Sequence, residues 1–467
     1  MQHLHIIGIC GTAMAGLAIM AKAQGLRVTG SDNGIYPPMS TLLEASNIPL
    51  MEGFRPDNLQ PRPDLVLVGN AISRGNPELE AVLEQDIPYR SGAQWLFEHV
   101  LEGRHGVVAT GTHGKTTTTS LLARIWEEAG LQPGFLIGGI PLDFGCGARL
   151  PTGPWVMVEG DEYDTAFFDK RPKFLHYRPK TVLINNLEFD HADIYADLEA
   201  IRRQFRLLLR SVPANGHLVV NGDDPEVEAL LPFASTPIYR YGIATQQPFM
   251  AQLEGEDGRC WSLYRHGERL FTVHWHLLGR HNVSNGLAAA TAALVNGIAP
   301  ESIQAGLEAF QGVARRLQLR YEANGVAVYD DFAHHPTAIA TTLAGMRAAI
   351  GAARLWVVLE PRSNTMRGRV HQERLATAFA AADRILLARP QARGMAAAEL
   401  LDVEAVVAQL NQGQPQSGPE VGTVVADANE AVSLLVRHCT PGDHVVIMSN
   451  GGFDGIHQKL QQELNHP

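Results

Sequence analysis

Short apolar runs alternate with helix-periodic segments along most of the chain. In its N-terminal part, apolar runs at Leu4–Ile9, Arg27–Thr29 and Leu65–Val68 predict strands. The segments Ala13–Gln24 and Thr41–Ser46 lie between them and predict helices. Strands that alternate with helices are typical of βαβ units, which build a parallel sheet covered by helices. The pattern therefore predicts an α/β fold.

The same alternation begins twice more along the chain. A second series of predicted strands and helices comprises Gly106–Thr110, Thr116–Glu128, Trp155–Glu159, Thr181–Asn185 and Leu198–Leu209. A third series, of predicted strands, comprises Val326–Tyr329, Leu355–Leu359, Arg384–Ala388 and His444–Met448. A chain of 467 residues is also long enough for about three domains. We therefore predict domains at residues 1–102, 103–314 and 315–467. Within the second, the stretch Thr236–Leu278 is rich in Trp, Tyr, Phe and Thr and predicts an insert of antiparallel strands.

Composition narrows the class of protein. With 45% hydrophobic and 19% charged residues the chain is typical of a globular protein. Its net charge of −11 disfavours a nucleic-acid-binding surface, so we expect no nucleic-acid partner. Four widely spaced cysteines without a CxxC pair favour a reduced, cytoplasmic location. The uncharged segment Gln2–Ala21 contains several Gly and His residues and lacks a basic start, so we expect neither a signal peptide nor a membrane anchor.

The strongest local motif is a phosphate-loop pattern. Residues Ala109–Thr117 read Ala-Thr-Gly-Thr-His-Gly-Lys-Thr-Thr and lie between an apolar strand and a predicted helix. In such loops backbone N–H groups bind phosphate oxygens, the lysine neutralises the terminal phosphates and the next hydroxyl reaches Mg²⁺. The usual spacing of this motif places Gly where this chain has Ala109. The alternative to a phosphate loop is a plain turn before a capped helix. The predicted nucleotide-binding residues here are Gly111, Thr112, His113, Gly114, Lys115, Thr116 and Thr117.

Two further predicted strands end in groups that bind metals. Trp155–Glu159 ends in a carboxylate, and Thr181–Asn185 is followed by a loop that contains His191. The carboxyl ends of parallel strands face the same crevice, so Glu159, His191 and Thr116 are expected to converge on a metal and its phosphates. Alone, Glu159 would be a solvated carboxylate and His191 an ordinary loop histidine.

The N-terminal glycine-rich loop has the features of a pyrophosphate site. Gly8-Ile-Cys-Gly11 follows a predicted strand and opens a helix that contains Gly16, and Ser31-Asp32 ends the next strand. Glycines at such a loop allow a pyrophosphate to approach a helix N-terminus. The spacing differs from the nicotinamide-binding fingerprint. A sugar nucleotide such as a UDP sugar fits it better.

Seven motifs in this order resemble the Mur ligase family, the ATP-dependent amide ligases of bacterial cell-wall precursors. They cover nearly the whole chain and comprise Gly8–Gly11, Gly111–Thr117, Glu159–Glu162, Asp190-His191, Gly279–Asn285, Ala314–Arg316 and Asp330–Pro336. The resemblance implies a Rossmann-like UDP-sugar domain, a central P-loop ATPase domain and a Rossmann-like C-terminal domain. It also implies ATP and Mg²⁺ as cofactors.

The resemblance also implies roles for individual residues. Lys115, Glu159, His191 and Arg316 would be catalytic, with Thr116, Glu159 and His191 supporting Mg²⁺. The nucleotide would further contact Asn282, Asn285, Arg316, Asp331 and His335. The UDP sugar would contact Gly8, Cys10, Gly11, Thr12, Ser31, Asp32 and Asn70. The spacing of Asn282 and Asn285 places them on one helix face, as expected of two nucleotide contacts. An N-cap residue and a surface amide without a ligand explain the two positions equally well.

Three segments, Tyr36–Leu43, Glu360–Arg367 and Ser449–Phe453, resemble the branch of the family that recycles a cell-wall tripeptide. This implies transfer of phosphate from ATP to the lactyl carboxylate of UDP-N-acetylmuramate, followed by attack of the L-Ala amine of L-Ala-γ-D-Glu-meso-diaminopimelate on the acyl phosphate. The tripeptide would contact Arg362, Asn364, Arg367, Ser449 and Asn450, unless the arginines form a solvated turn. The alternatives are a ligase for free L-alanine and, from another class, a P-loop protein that uses ATP as a switch.

Overall fold

Three sheets, each covered by helices, follow one another along the chain in the computed structural model. The structure describes residues 1–35, 39–192, 194–412 and 420–465. Tyr36, Pro37 and Pro38 begin one of the segments that resemble the tripeptide branch, and they lie outside the described residues. The predicted α/β fold is confirmed, whereas the three domain boundaries stay a prediction.

The first sheet is parallel, with strand order β3-β2-β1-β4-β5. Its strands are β1 (His3–Ile7), β2 (Arg27–Asp32), β3 (Leu50–Glu52), β4 (Leu65–Val68) and β5 (Tyr89–Ser91). Its helices are α1 (Thr12–Ala23), α2 (Met39–Ala45), α3 (Pro77–Glu84) and α4 (Gly92–Leu96), with a π-helical turn at Phe97–Leu101 and a 3-10 turn at Pro56–Leu59. Strand β1 ends two residues earlier than predicted because Gly8 has a φ of +80°, which turns the chain towards α1.

The second sheet has ten strands in the order β17-β16-β15-β14-β13-β12-β6-β9-β7-β8. The strands are β6 (His105–Thr110), β7 (Gly134–Leu136), β8 (Ala148–Arg149), β9 (Trp155–Glu159), β12 (Thr181–Ile184), β13 (His217–Asn221), β14 (Ile238–Gly242), β15 (Phe249–Leu253), β16 (Cys260–Arg265) and β17 (Glu268–His274), and a separate hairpin is formed by β10 (Asp164–Ala166) and β11 (Asp169–Pro172). The helices are α5 (Lys115–Glu128), α6 (Leu198–Ser211), α7 (Pro225–Glu228), α8 (Arg280–Val295) and α9 (Pro300–Ala309), with 3-10 turns at Lys173–His176 and Leu231–Phe233.

The predicted antiparallel insert is partly wrong. Strand β14 pairs parallel to β13, and β15 continues this sheet with two parallel residue pairs to β14. Only β15, β16 and β17 pair with one another in antiparallel fashion. The stretch therefore extends the main sheet because the chain crosses over through α7 before β14 begins.

The third sheet has the order β18-β19-β23-β20-β21-β22, and all neighbours except β18 and β19 are parallel. Its strands are β18 (Gln318–Ala323), β19 (Val326–Asp331), β20 (Leu355–Leu359), β21 (Arg384–Ala388), β22 (Gly422–Val425) and β23 (His444–Met448). Its helices are α10 (Pro336–Ile350), α11 (Asn364–Arg367), α12 (Gln372–Ala378), α13 (Val403–Asn411), α14 (Ala428–His438) and α15 (Ile456–Asn465), with 3-10 turns at Arg369–His371, Ala397–Glu399 and Phe453–Gly455. Apolar cores lie on both faces of this sheet.

Glycines allow close contacts between the domains. A Cβ atom on Gly16 in α1 would lie 2.6 Å from Leu136 Cδ1, so this helix packs directly on the edge of the second sheet. A Cβ atom on Gly345 in α10 would lie 2.7 Å from the Cα atom of Gly279, which precedes α8. The third domain therefore meets the second backbone to backbone at this point. Among the helices that the structure describes, none is long and apolar enough to cross a membrane.

Candidate active site

The phosphate-loop motif forms a tight loop between β6 and α5. Gly111 and Gly114 have φ values of +126° and +81°, which other residues rarely adopt. A Cβ atom at Gly114 would also lie only 2.3 Å from Asn285 Oδ1 in α8. Thr118 Oγ1 donates to the same Asn285 oxygen at 3.3 Å. The loop is thus locked against α8, and both glycines are required by its shape.

Lys115 lies at the centre of a buried charge cluster. Its Nζ donates to the carbonyl oxygens of Gly111 and Thr112 at 2.7 and 3.3 Å, and to Glu162 Oε2 at 3.0 Å. Burial lowers the pKa of Lys115, but the nearby carboxylates, Glu162 first among them, outweigh burial and raise it. The Lys115 ammonium group is therefore charged, and it is held beside the phosphate loop at Gly111 and Thr112.

Thr116 and Glu159 contact each other beside this lysine. Thr116 Oγ1 donates to Glu159 Oε1 at 2.9 Å, and the N–H of Gly138 donates to Glu159 Oε2 at 2.7 Å. Burial, together with the charge of Asp161, raises the pKa of Glu159. Both of these hydrogen-bond donors are neutral, so a cation at this carboxylate would relieve the cost of burying its charge.

His191 joins the cluster through Glu162. Its backbone has a φ of +57°, and its Nε2 lies 3.0 Å from Glu162 Oε1. Burial lowers the pKa of His191, but Glu162 and Asp190 outweigh burial and raise it. His191 and Lys115 therefore share Glu162 Oε1, and the His191 ring lies against Tyr163, tilted by 48° with 4.1 Å between centroids. Thr116 and Glu159 are in contact, whereas His191, the third predicted metal ligand, lines the same cavity and contacts Glu162.

Arg316 brings the third domain onto the phosphate loop. Its Nη2 donates to Thr116 Oγ1 at 3.2 Å, and its guanidinium lies 5.0 Å from the centre of the Phe332 ring. The flanking residues Arg315 and Leu317 have φ values of +62° and +48°, a conformation unusual for such side chains. Asp331 fixes this turn, since its carboxylate accepts from the N–H of Leu317 at 2.7 Å. Burial lowers the pKa of Arg316 and raises that of Asp331.

The remaining predicted nucleotide residues surround the same loop. Asn282 lies in the first turn of α8, where its Nδ2 donates to the carbonyl of Leu278 at 2.8 Å. His335 precedes α10 and accepts from the N–H of Thr337 at 3.3 Å through its Nδ1. The His335 ring lies 4.7 Å from the ring of His113. Burial lowers the pKa of His335 to about 3, so its imidazole is neutral.

A cavity of about 590 Å³ connects these groups, and residues of all three domains line it. The predicted residues on its walls are Gly11, Thr12, Asn70, Thr112, His113, Gly114, Lys115, Thr116, Thr117, Glu159, His191, Asn282, Asn285, Arg316, Asp331, His335 and Asn450. Sequence reasoning therefore located one shared cavity from motifs that are hundreds of residues apart. Their individual roles stay a prediction.

Four predicted UDP-sugar residues lie behind the wall of this cavity, as far as the described residues define it. Ser31 is fully buried and its hydroxyl donates to Glu78 Oε1 at 2.8 Å. Asp32 Oδ2 accepts from the N–H of Cys10 at 2.9 Å, and Gly8 turns the chain just before it. These residues therefore shape the loop that presents Gly11 and Thr12.

The predicted tripeptide residues are distributed over neighbouring cavities. Arg362, Asn364 and Asn450 line a cavity of about 260 Å³ that also contacts His191. Arg367 Nη2 donates to Asn364 Oδ1 at 2.6 Å and lines a further cavity on the other side. Ser449 is buried and donates to Glu360 Oε2 at 2.5 Å, so it supports the wall from behind.

Sequence reasoning missed the carboxylate that organises the site. Glu162 accepts from Lys115 and contacts His191, yet no role was predicted for it. Its position in the acidic run after β9 was the available signal. Asp161, which pairs with Lys173 at 3.1 Å, and Arg393, which lines the cavity with Arg362, were also missed.

Comparison with known proteins matches each domain separately. Residues 3–104 match the model described as Mur ligase family, catalytic domain, residues 109–293 match the Mur ligase middle domain, and residues 315–451 match the Mur ligase, glutamate ligase domain.

Two relatives and one solved structure cover nearly the whole chain. A protein of Escherichia coli (strain K12), named UDP-N-acetylmuramate--L-alanyl-gamma-D-glutamyl-meso-2,6-diaminoheptandioate ligase, is 46% identical over 99% of this chain and 98% of its own length. A UDP-N-acetylmuramate--L-alanine ligase of Burkholderia cenocepacia (strain HI2424) is 32% identical over 99% of this chain and 98% of its own length. The crystal structure of a murein peptide ligase from Psychrobacter arcticus 273-4 is similar with a TM-score of 0.76 and 41% identity, over 100% of this chain and 99% of that one. Given these three domain matches and this identity, the chain belongs to the Mur ligase family.

Proposed function

We propose that the protein is an ATP-dependent ligase that joins UDP-N-acetylmuramate to the tripeptide L-Ala-γ-D-Glu-meso-diaminopimelate. The observation that carries the proposal is the single cavity in which the phosphate loop meets residues of the first and third domains. An enzyme with three substrates needs such a meeting point. The greater identity to the tripeptide-named relative, 46% against 32%, favours the tripeptide over free L-alanine.

The first step is phosphoryl transfer from ATP to the lactyl carboxylate. This chemistry needs positioning and charge neutralisation more than covalent help from the protein. Lys115 and Arg316 supply two cations at the phosphate loop: Lys115 Nζ donates to the Gly111 carbonyl, and Arg316 donates to Thr116 Oγ1. The acyl phosphate has a far better leaving group than the carboxylate, so the amine of L-Ala displaces phosphate and forms the amide.

Mg²⁺ would be held by Thr116, Glu159 and His191. The oxygen ligands of Thr116 and Glu159 suit a small cation that keeps several waters, and His191 would support it from the same cavity. The buried Glu159 carboxylate, with neutral donors at 2.7 and 2.9 Å, fits such an ion. When bound, Mg²⁺ neutralises charge that develops on phosphate oxygens. Lys115, fixed by Glu162, holds the terminal phosphates from the other side.

The acyl phosphate must be kept from water until the amine arrives. The loop from Arg315 to Leu317 carries the third domain's cation into the cavity, so docking of that domain closes it. The neighbouring cavity at Arg362, Asn364 and Asn450 lies on the third domain and adjoins His191, which suits a peptide whose amine must reach the acyl phosphate. Arginine forks are good partners for the carboxylates of such a peptide.

The test is a ligation assay with purified protein, UDP-N-acetylmuramate, ATP and either the tripeptide or L-alanine. We expect ADP, phosphate and a product with the mass of the UDP-N-acetylmuramyl tripeptide. Product only with L-alanine would assign the protein to the L-alanine ligases. ATP hydrolysis independent of both acceptor and amine would instead favour a nucleotide switch. A cytoplasmic location also stays a prediction, supported by four unpaired cysteines.

A further inference from the structure

A second group of metal-ligand side chains lies between the phosphate loop and the third domain. His113 belongs to the loop, Glu188 follows β12, and His335 precedes α10. One ligand atom from each lies within 4.8 Å of the other two. Over the part of the chain that the structure describes, this is the one group of three or more His, Cys, Asp or Glu with that geometry. It is separate from Thr116, Glu159 and His191.

The spacing is close to that of a bound transition metal. His113 Nε2 lies 3.6 Å from Glu188 Oε1, and His335 Nδ1 lies 4.0 Å from Glu188 Oε2. Ligand atoms about 2.0–2.1 Å from a common tetrahedral ion lie roughly 3.3 Å apart. Small side-chain rotations would therefore bring the three groups onto one ion, once His335 Nδ1 releases the long hydrogen bond of 3.3 Å that it accepts from the N–H of Thr337. Glu188 is already oriented, since Thr337 Oγ1 donates to its Oε2 at 2.8 Å.

Imidazole nitrogen atoms without partners occur at the same place, and one of them, His113 Nε2, is the atom that faces Glu188. The Nε2 atoms of His113, His335 and His371 are buried and have no hydrogen-bond partner among the residues that the structure describes. His335 is 1% exposed, and its ring packs edge-on against His371 with 4.6 Å between centroids. Buried polar atoms without partners are rare because they lose hydration without compensation. The imidazoles of His113 and His335 beside the Glu188 carboxylate are the donor set of a zinc-type site.

We propose that His113, Glu188 and His335 bind one Zn²⁺ ion, which fastens the phosphate loop to the third domain. Two imidazoles and a carboxylate suit Zn²⁺, whereas Mg²⁺ prefers oxygen ligands and retained water. Its residues are not those predicted to hold Mg²⁺. His113 and His335 are, however, also predicted nucleotide-binding residues, so Zn²⁺ binding has to be measured without nucleotide. Zn²⁺ there would hold two domains in their present arrangement, so it would restrain their movement during turnover.

The test is equilibrium dialysis of the full-length protein against Zn²⁺ in the presence of about 10 mM Mg²⁺, without nucleotide or sugar substrate. We expect one tightly bound equivalent in the wild type, and at least tenfold weaker binding in both His335→Gln and Glu188→Gln. His266→Gln, which removes an exposed imidazole from the β16–β17 hairpin, is the matched control and should retain the wild-type affinity. Circular dichroism checks that each variant is folded.

Co²⁺ gives a second measurement that does not rely on variants. A nitrogen-containing tetrahedral site produces intense visible absorption, and one equivalent of Zn²⁺ should abolish it. The proposal is overturned if the wild type binds no Zn²⁺ under excess Mg²⁺. It is equally overturned if His191→Gln, but not His335→Gln, loses the ion, because Zn²⁺ would then occupy the predicted Mg²⁺ position.

Discussion

Replacing Lys115 by methionine tests how the phosphate loop works, because the lysine has a competing partner. In the structure its ammonium group is held by the buried carboxylate of Glu162 at 3.0 Å. Bound phosphates must therefore share Lys115 with Glu162. Lys115→Met removes the cation expected to face the phosphates, and it leaves the Glu162 carboxylate with its contact to His191 Nε2 but without the lysine. The variant should thus lose an attraction and gain a repulsion.

The two effects can be sized separately. Loss of one preorganised electrostatic group from a water-excluded site costs about 3–4 kcal/mol, or about 10²–10³ in kcat. Two like unit charges about 5 Å apart repel each other by about 3 kcal/mol at an effective dielectric constant of about 20, and we take this as the scale for Glu162 and a bound phosphate. Glu162 keeps its contact with His191 Nε2 in the variant, so we expect roughly half of this repulsion at a bound phosphate, which corresponds to about tenfold in affinity. Lys115→Met should therefore bind nucleotide poorly, and adding Glu162→Gln should recover about tenfold.

Calorimetric titration with ADP measures the affinity of the single and double variants, and phosphate release measures activity. Lys170→Met is the matched control: it removes the same charge from an exposed lysine that pairs with Asp164 at 2.6 Å. Its nucleotide affinity should stay within about twofold of wild type. If Glu162→Gln weakens ADP binding further in the Lys115→Met background, Glu162 supports the nucleotide and does not compete with it. Activity of Lys115→Met within about tenfold of wild type would refute the phosphate-loop assignment.

Three further predictions concern the third domain, the donor and pH. Arg316→Ala removes the guanidinium that donates to Thr116, and kcat should fall about 100-fold in the ligation assay while circular dichroism stays unchanged; an equal rate would show that Arg316 is only a hinge. The kcat/KM for the tripeptide should exceed that for L-alanine at least ~100-fold, and Arg362→Ala should raise the KM for the tripeptide alone; equal values for both amines would assign the protein to the L-alanine branch. Burial, with a smaller contribution from His113, lowers the pKa of His281 to about 4, below its usual value of 6.5. The unfolded chain therefore binds a proton at His281 more readily than the folded protein, and the free energy of unfolding falls by about 1–3 kcal/mol as pH falls from 6.5 towards 4. The thermal midpoint of His281→Gln should decline less than that of the wild type over this range. Equal declines in the two proteins would contradict the lowered pKa of His281.

The sequence was sufficient to predict what depends on local pattern. The P-loop, Glu159 and His191 each follow an apolar strand, and parallel strands necessarily bring their carboxyl ends together. The helix-face argument likewise placed Asn282 and Asn285 in the first turns of α8. For these groups, short-range periodicity and one rule of sheet topology define the neighbourhood.

Other features depend on packing that no local pattern contains. Glu162 became the partner of Lys115 because the chain turns back after β9, which residue spacing does not reveal. Ser31 was predicted from its place at a strand end, but its side chain turns into the sheet towards Glu78. The amino-acid composition of its segment also could not predict the direction in which β14 runs. Aromatic and β-branched residues favour strands without specifying whether a neighbour runs parallel or antiparallel.

The contact between Gly279 and Gly345 has a mechanical consequence. Two backbones in direct contact cannot approach each other more closely. They also have no interdigitating side chains at this contact that would oppose a rotation of one backbone against the other. At this point the packing alone does not oppose a rotation of the third domain. Resistance to such a rotation comes from hydrogen bonds elsewhere between the two domains, namely those from Arg316 to Thr116 and from Thr337 to Glu188. An alanine at position 345 would push the two backbones apart, since its Cβ would lie 2.7 Å from the Gly279 backbone.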